Sequence, residues 1–118
     1  MGTAALLDEE TGPTTRRITW HLTQADPDGA WLRLPDYPDK SVHIAGNFDG
    51  ATVKIEGSSL PDKSHALTLT DSHAGLASAT QDDALQLTEN LEYIRPTSTG
   101  GGAGLEVTVI MICRGTRR

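Results

Sequence analysis

The C-terminal part of the sequence constrains the fold most, because its apolar residues recur with the two-residue period of a β-strand. Apolar side chains occupy every second position at Leu105, Val107, Val109, Met111 and Cys113. The alternate positions begin polar, at Glu106 and Thr108, and become apolar at Ile110 and Ile112. The end of this strand therefore needs cover on both faces, either from its own chain or from another subunit.

The same alternation recurs in shorter stretches along the chain. Ile18, Trp20 and Leu22 alternate with polar residues, and residues 41–46 and 51–57 repeat the pattern on either side of a Gly-rich turn, which predicts a hairpin. Residues 81–92 fit either a strand or one amphipathic helical turn. Short strands separated by turn signals predict an all-β fold, a jelly-roll-like β-sandwich of about eight short antiparallel strands.

The first sixteen residues lack this period and contain Gly12-Pro13, a composition that favours extended chain over helix. The sequence therefore predicts an extended N-terminal arm over residues 1–16 and a β-sandwich domain over residues 17–118.

Charge and composition exclude several classes of function. The 118 residues include 16 acidic and 10 basic side chains, for a net charge of −6, which argues against nucleic acid as a partner. No apolar run approaches the roughly 20 residues that cross a membrane, so no membrane partner is expected. Cys113 is the single cysteine, which fits cytoplasmic synthesis and excludes an intrachain disulfide. Arg114, Arg117 and Arg118 form a local basic tail suited to an acidic protein neighbour.

No motif in the sequence indicates catalysis or a cofactor. The four histidines lack the spacing of a zinc site, and no G-x-S-x-G elbow presents a nucleophilic serine. The glycine run at residues 100–104 lacks the last glycine and the lysine of phosphate-binding loops, and is better interpreted as a hairpin loop. We therefore predict no catalytic, cofactor-binding or metal-ligating residue, no cofactor, and no enzymatic activity.

Three segments carry a resemblance to a known class of protein. Residues 42–58 read VHIAGNFDGATVKIEGS, Leu69-Thr70-Asp71 follow, and Tyr93-Ile94-Arg95-Pro96 precede the Gly-rich loop and the last strand. Over about residues 40–114 this resembles small virion proteins of tailed bacteriophages, most closely capsid cement or decoration proteins. Such proteins often carry N-D-G-x-x-W after the Gly-Ser, whereas residues 58–65 here contain no aromatic residue.

The resemblance implies a virion protein, synthesised in the host cytoplasm, that binds the outer surface of a capsid. Its implied partners are the major capsid protein and copies of itself, as a homodimer or homotrimer that locks neighbouring capsomers together. Similar hairpins occur in head-fibre and tail-adaptor proteins, which gives a second location on the particle.

The residues that we expect at such an interface are the apolar and basic ones without a place in the core pattern: Leu6, Leu7, Trp31, Ile110, Ile112 and Arg114. In this hypothesis Leu6 and Leu7 belong to an arm that clamps an adjacent subunit. A carbohydrate-binding β-sandwich module is a further alternative, and its sugar platform would consist of Trp20, Trp31 and Tyr37.

Overall fold

The structure, a computed structural model, describes residues 2–33, 37–72, 75–89 and 91–115. Within these residues the chain forms strands, turns and loops and no helix. The strands are β1 (Thr3–Ala4), β2 (Leu6–Gly12), β3 (Thr15–Thr23), β4 (Asp28–Gly29), β5 (Asp39–Asn47), β6 (Thr52–Ser58), β7 (Leu67–Thr68), β8 (Ser78–Ala79), β9 (Asp83–Gln86), β10 (Tyr93–Thr99) and β11 (Glu106–Arg114).

These strands form two facing sheets. One sheet has the order β2-β3-β11-β5-β9, and every pair within it is antiparallel. The other has the order β1-β4-β10-β6-β7, and β8 also pairs with β6. The predicted all-β, jelly-roll-like β-sandwich is therefore confirmed. Four of the eleven strands have only two residues, which explains why the sequence pattern predicts about eight.

The core lies between the two sheets and follows the predicted alternation. Ile18, Trp20 and Leu22 on β3 are fully buried, and so are the inward residues of β11 from Val107 to Cys113. The opposing sheet contributes Val53, Ile55 and Ile94. Because side chains on a strand alternate between faces, these inward sets leave Thr19, Ile110 and their neighbours on the outside of the sandwich.

The predicted hairpin between residues 41–46 and 51–57 is not formed. Both strands exist, as β5 and β6, but each lies in a different sheet, and residues 48–51 cross from one sheet to the other. Gly46 lies so close to β11 that a Cβ there would be 2.2 Å from the carbonyl oxygen of Glu106. Local sequence predicts the turn correctly, but β5 pairs with the distant β11 and not with its neighbour in sequence.

The Gly-rich loop is also a crossing and not a hairpin loop. It connects β10 in the six-stranded sheet to β11 in the five-stranded sheet, and Gly100 there adopts a positive φ of 79°. This conformation suits glycine, which has no side chain to clash with its own backbone.

The N-terminal segment differs from the predicted arm. β1 pairs with β4 in the six-stranded sheet, and β2 pairs with β3 in the five-stranded sheet, so this segment contributes one strand to each sheet. The predicted boundary after residue 16 lies inside β3. Pro13 and Thr14 form the turn of a β2–β3 hairpin, which the composition of this segment alone did not reveal. Residues 83–86, within the segment left open between strand and helix, form β9.

Candidate protein-binding surface

Three predicted interface residues lie together on the outer face of the five-stranded sheet. One row across the strands consists of Leu7, Thr19, Ile110, His43 and Ala84. The next row consists of Glu9, Arg17, Ile112, Ser41 and Gln86. The strand register thus brings Leu7, Ile110 and Ile112 onto one surface, although Leu7 is about a hundred residues away from both isoleucines in sequence.

This surface carries three aliphatic side chains among polar ones, and the aliphatic side chains are only partly covered. Ile110 and Ile112 are half-buried, whereas Val109 and Met111 beside them on the same strand are completely buried. Leu7 is 56% exposed. Isolated exposed leucines are ordinary, but three aliphatic residues in adjacent rows of one sheet form a patch of the kind that marks protein contacts.

A groove with a volume of about 880 Å³ lies on the same face. We call it the outer-face groove. Its floor includes Ile110, Ile112, Ser41 and His43, and it extends from Arg17 on β3 to Asp83 and Gln86 on β9 and to Asp71 and Ser72 beyond them. Its size falls within the range of about 300–1,000 Å³ that is typical of ligand-binding clefts.

The wall beyond β9 is held in place by hydrogen bonds. Asp71 pairs with Leu87, and the hydroxyl of Thr88 donates to the carbonyl oxygen of Asp71 over 2.9 Å. The backbone N–H and the hydroxyl of Thr70 both donate to the carboxylate of Glu89, each over 2.8 Å. The backbone bond especially holds the pKa of Glu89 below its usual range. The segment that carries Asp71 is therefore fixed beside the groove.

The charges of the groove are unequal at its two ends. At one end the guanidinium of Arg17 is paired with Glu9, whose Oε1 lies 3.1 Å from Arg17 Nε. At the other end lie the carboxylates of Asp71 and Asp83, which accept hydrogen bonds from the backbone N–H groups of Gly75 and Ala84. The backbone N–H of Ala84 does not cancel the full negative charge of Asp83, so the β9 end is acidic and the β3 end is nearly neutral.

Trp31, also predicted at the interface, lies on the other sheet. Leu32 bridges to Ile94, which aligns Trp31 with Arg95. The guanidinium of Arg95 lies 4.5 Å from the centre of the Trp31 ring, and its Nε is 2.7 Å from Oε1 of Glu56. One face of the indole is thus occupied by a cation from its own chain, and Trp31 is separated from Ile110 by the thickness of the sandwich.

The two remaining predicted interface residues differ from each other. Leu6 is the cross-strand partner of Trp20 and packs against the core, because the alternation of β2 turns it inward while Leu7 faces out. Arg114 is exposed at the end of β11, with its Nη1 3.8 Å from Oδ2 of Asp39. Arg117 and Arg118, the rest of the predicted basic tail, lie outside the described residues.

The aromatic platform proposed for sugar binding is not assembled. Trp20 is completely buried, and its indole N–H donates to the carbonyl oxygen of Ala30 over 3.0 Å. Tyr37 is partly buried against the core. Of the three aromatic residues, only Trp31 is left to stack on a sugar, and Arg95 already covers one of its faces.

Sequence reasoning missed the part of the groove that β9 supplies. Asp83, Ala84 and Gln86 lie in the segment whose pattern fits both a strand and a helical turn. The sequence therefore did not predict which of these side chains point away from the core. His43 alternates with the buried Val42 and Ile44 on β5, so it faces away from the core and lies on the groove floor.

Neither a metal site nor a membrane span is found in the described part of the chain. No group of three or more His, Cys, Asp or Glu side chains there is arranged to hold a metal ion. No helix among residues 2–33, 37–72, 75–89 and 91–115 is long and apolar enough to cross a membrane.

Comparisons with known proteins give structural likeness only. No protein-family model and no curated protein sequence matches the chain. A cupin domain from Bordetella pertussis Tohama I is 13% identical with a TM-score of 0.53, covering 98% of this chain and 96% of that one. The SPBc2 prophage-derived protein YomS is also 13% identical, with a TM-score of 0.60 over 89% of this chain and 98% of that one.

A carbohydrate-binding module of Cellvibrio mixtus lichenase 5A, solved with cellotriose, is 10% identical over 98% of this chain and 88% of that one. Its TM-score of 0.28 is too low to support an argument. At 13% identity, the other two likenesses show the fold alone: this chain shares its two-sheet, jelly-roll architecture with a cupin domain and with a prophage-derived protein.

Proposed function

We propose that this chain is a structural virion protein of a tailed bacteriophage, which binds the outer surface of a capsid and cements neighbouring capsomers. The observation that carries the proposal is the group of partly covered aliphatic side chains on the outer face of the five-stranded sheet, where Leu7, Ile110 and Ile112 share one surface. The resemblance of residues 40–114 to cement proteins and the shared fold with a prophage-derived protein support the same class.

The proposed partners are the major capsid protein and further copies of this chain, as a dimer or trimer. A cement protein must expose enough apolar area to bind a particle and still remain soluble before assembly. The net charge of −6 favours solubility before assembly, because like-charged molecules repel one another in solution. The proposal includes no catalytic step.

The test is co-sedimentation of the purified protein with capsids assembled from the major capsid protein of the same phage. We expect the wild-type protein to sediment with capsids and the Ile110→Thr, Ile112→Thr double variant to bind at least about tenfold more weakly, since each buried aliphatic side chain contributes about 1.5–3 kcal/mol. Leu67→Thr is the matched control, because Leu67 is exposed on the other sheet.

Two results would contradict the proposal. One is a wild-type protein that does not sediment with capsids and is monomeric by light scattering. The other is immunogold label on tails or head fibres of intact virions, which would move the protein to the alternative location. Far-ultraviolet circular dichroism of each variant shows whether a loss of binding is a loss of fold.

A further inference from the structure

The outer-face groove has a shape that favours one kind of occupant. A second copy of this chain placed face to face would oppose one concave surface to another and leave a void between them. Voids forfeit the packing contacts that stabilise an interface. The groove therefore requires a convex or narrow occupant, such as a segment of extended polypeptide.

The dimensions of the groove agree with such a segment. From β3 through β11, β5 and β9 to Asp71 it crosses five neighbouring chain segments, and strands lie about 4.8 Å apart, so its length is about 19 Å. An extended chain advances about 3.3 Å per residue, so about six residues span the groove. The two rows on its floor lie two residues apart along each strand, about 7 Å, which is narrower than an α-helix of about 10–12 Å with its side chains.

The chemistry of the groove sets the order of side chains along that segment. Ile110 and Ile112 on the floor require aliphatic side chains above them. Asp83 at the β9 end favours a cation, whereas the Arg17–Glu9 pair at the β3 end favours no charge.

We infer that the groove binds an extended segment of a partner protein that has aliphatic residues at its middle and Lys or Arg at one end, with the basic end over Asp83. This inference deepens the proposed function and rests on it for the partner's identity, since the segment would belong to a subunit of the particle. Backbone groups of the segment have polar partners in Ser41, His43 and Gln86, which lie on both rows of the groove.

The experiment is selection of a random displayed library of peptides, about seven residues long, on the immobilised full chain. We expect enriched peptides to share an aliphatic centre and a basic residue near one end. Binding of the most enriched peptide should fall at least about tenfold in the Ile110→Thr, Ile112→Thr variant and in Asp83→Lys. Glu10→Lys makes the same change of charge on β2, away from the groove, and should leave binding within about twofold.

Orientation gives a second readout. A paramagnetic label at the basic end of the enriched peptide should broaden the amide signals of Asp83 and Ala84 more than that of Arg17. The inference is overturned if no peptide is enriched, if the enriched peptides are acidic or lack aliphatic residues, if they bind the double variant equally well, or if the label broadens the Arg17 end.

Failure of the inference and failure of the proposed function give different results. Without peptide binding, but with wild-type and double-variant protein both sedimenting with capsids, the groove is not the contact and the virion role stands. With peptide binding to the groove but no capsid binding and no label on virions, the groove recognises a segment from another partner and the virion role fails.

Discussion

Lys40 lies directly across from Cys113 in the pairing of β5 with β11, and both residues are buried, with exposed fractions of 1% and 0%. The ammonium of Lys40 donates a hydrogen bond to the carbonyl oxygen of Tyr37. Burial lowers the pKa of Lys40 below its usual 10.5, and burial raises the pKa of the Cys113 thiol from 9.0 to about 11 in spite of the nearby lysine.

This pair predicts opposite effects of alkaline pH on stability. Between pH 9 and 11 the unfolded chain loses the Cys113 proton while the folded chain keeps it, so this thiol makes stability fall as pH rises. The folded chain loses the Lys40 proton at a lower pH than the unfolded chain, whose Lys40 has a pKa of 10.5. Between these two pKa values the unfolded chain binds more protons, so Lys40 makes stability rise with pH. Urea denaturation of wild type and of variants at Cys113 and Lys40, from pH 8 to 11, measures the two contributions to the free energy of unfolding.

We expect the stability of Cys113→Ala, relative to wild type, to rise by about 2–3 kcal/mol between pH 9 and 11. Lys40→Met should show the opposite trend, with stability falling relative to wild type as pH approaches 10.5. Parallel curves for wild type and Cys113→Ala over this range would show that the thiol titrates in the fold as it does in the unfolded chain.

Adjacent residues of β11 provide a matched pair for the two faces of the sheet. Val109→Thr places a hydroxyl in the completely buried core and should lower the free energy of unfolding by about 1–3 kcal/mol. Ile110→Thr changes a half-buried outward position and should cost less than about 1 kcal/mol, because threonine also favours strands. Urea denaturation measures both variants, and the reverse order would contradict the assignment of faces.

Gly29 on β4 is predicted to tolerate no side chain. A Cβ at this position would lie 2.7 Å from Cδ1 of Trp20 and 2.8 Å from the ring of Pro96, and Trp20 is itself completely buried. Gly29→Ala should therefore lower the free energy of unfolding by about 1–3 kcal/mol through overpacking.

Gly12→Ala is the control for this substitution, because its added Cβ would lie 3.7 Å from Cβ of Thr15, an ordinary contact distance. Equal free energies of unfolding for the two variants, measured by urea denaturation, would show that β4 moves away from Trp20 at little cost.

The sequence alone determined which faces of β3, β5, β6 and β11 enter the core. The two-residue period placed Ile18, Trp20 and Val109 inside and left Ile110 outside, because alternation is a property of each strand by itself. The same pattern showed that the outward positions of β11 become apolar at Ile110 and Ile112.

Only the tertiary structure decided which strands are neighbours. Local patterns carry no information about pairing between distant segments, so β5 and β6 were expected to form a hairpin, yet they belong to opposite sheets. The same limit hid β2 within a predicted arm and left the face of β9 undetermined. The groove exists because β3, β11, β5 and β9 meet in one register, and that register is set by packing of the whole sandwich.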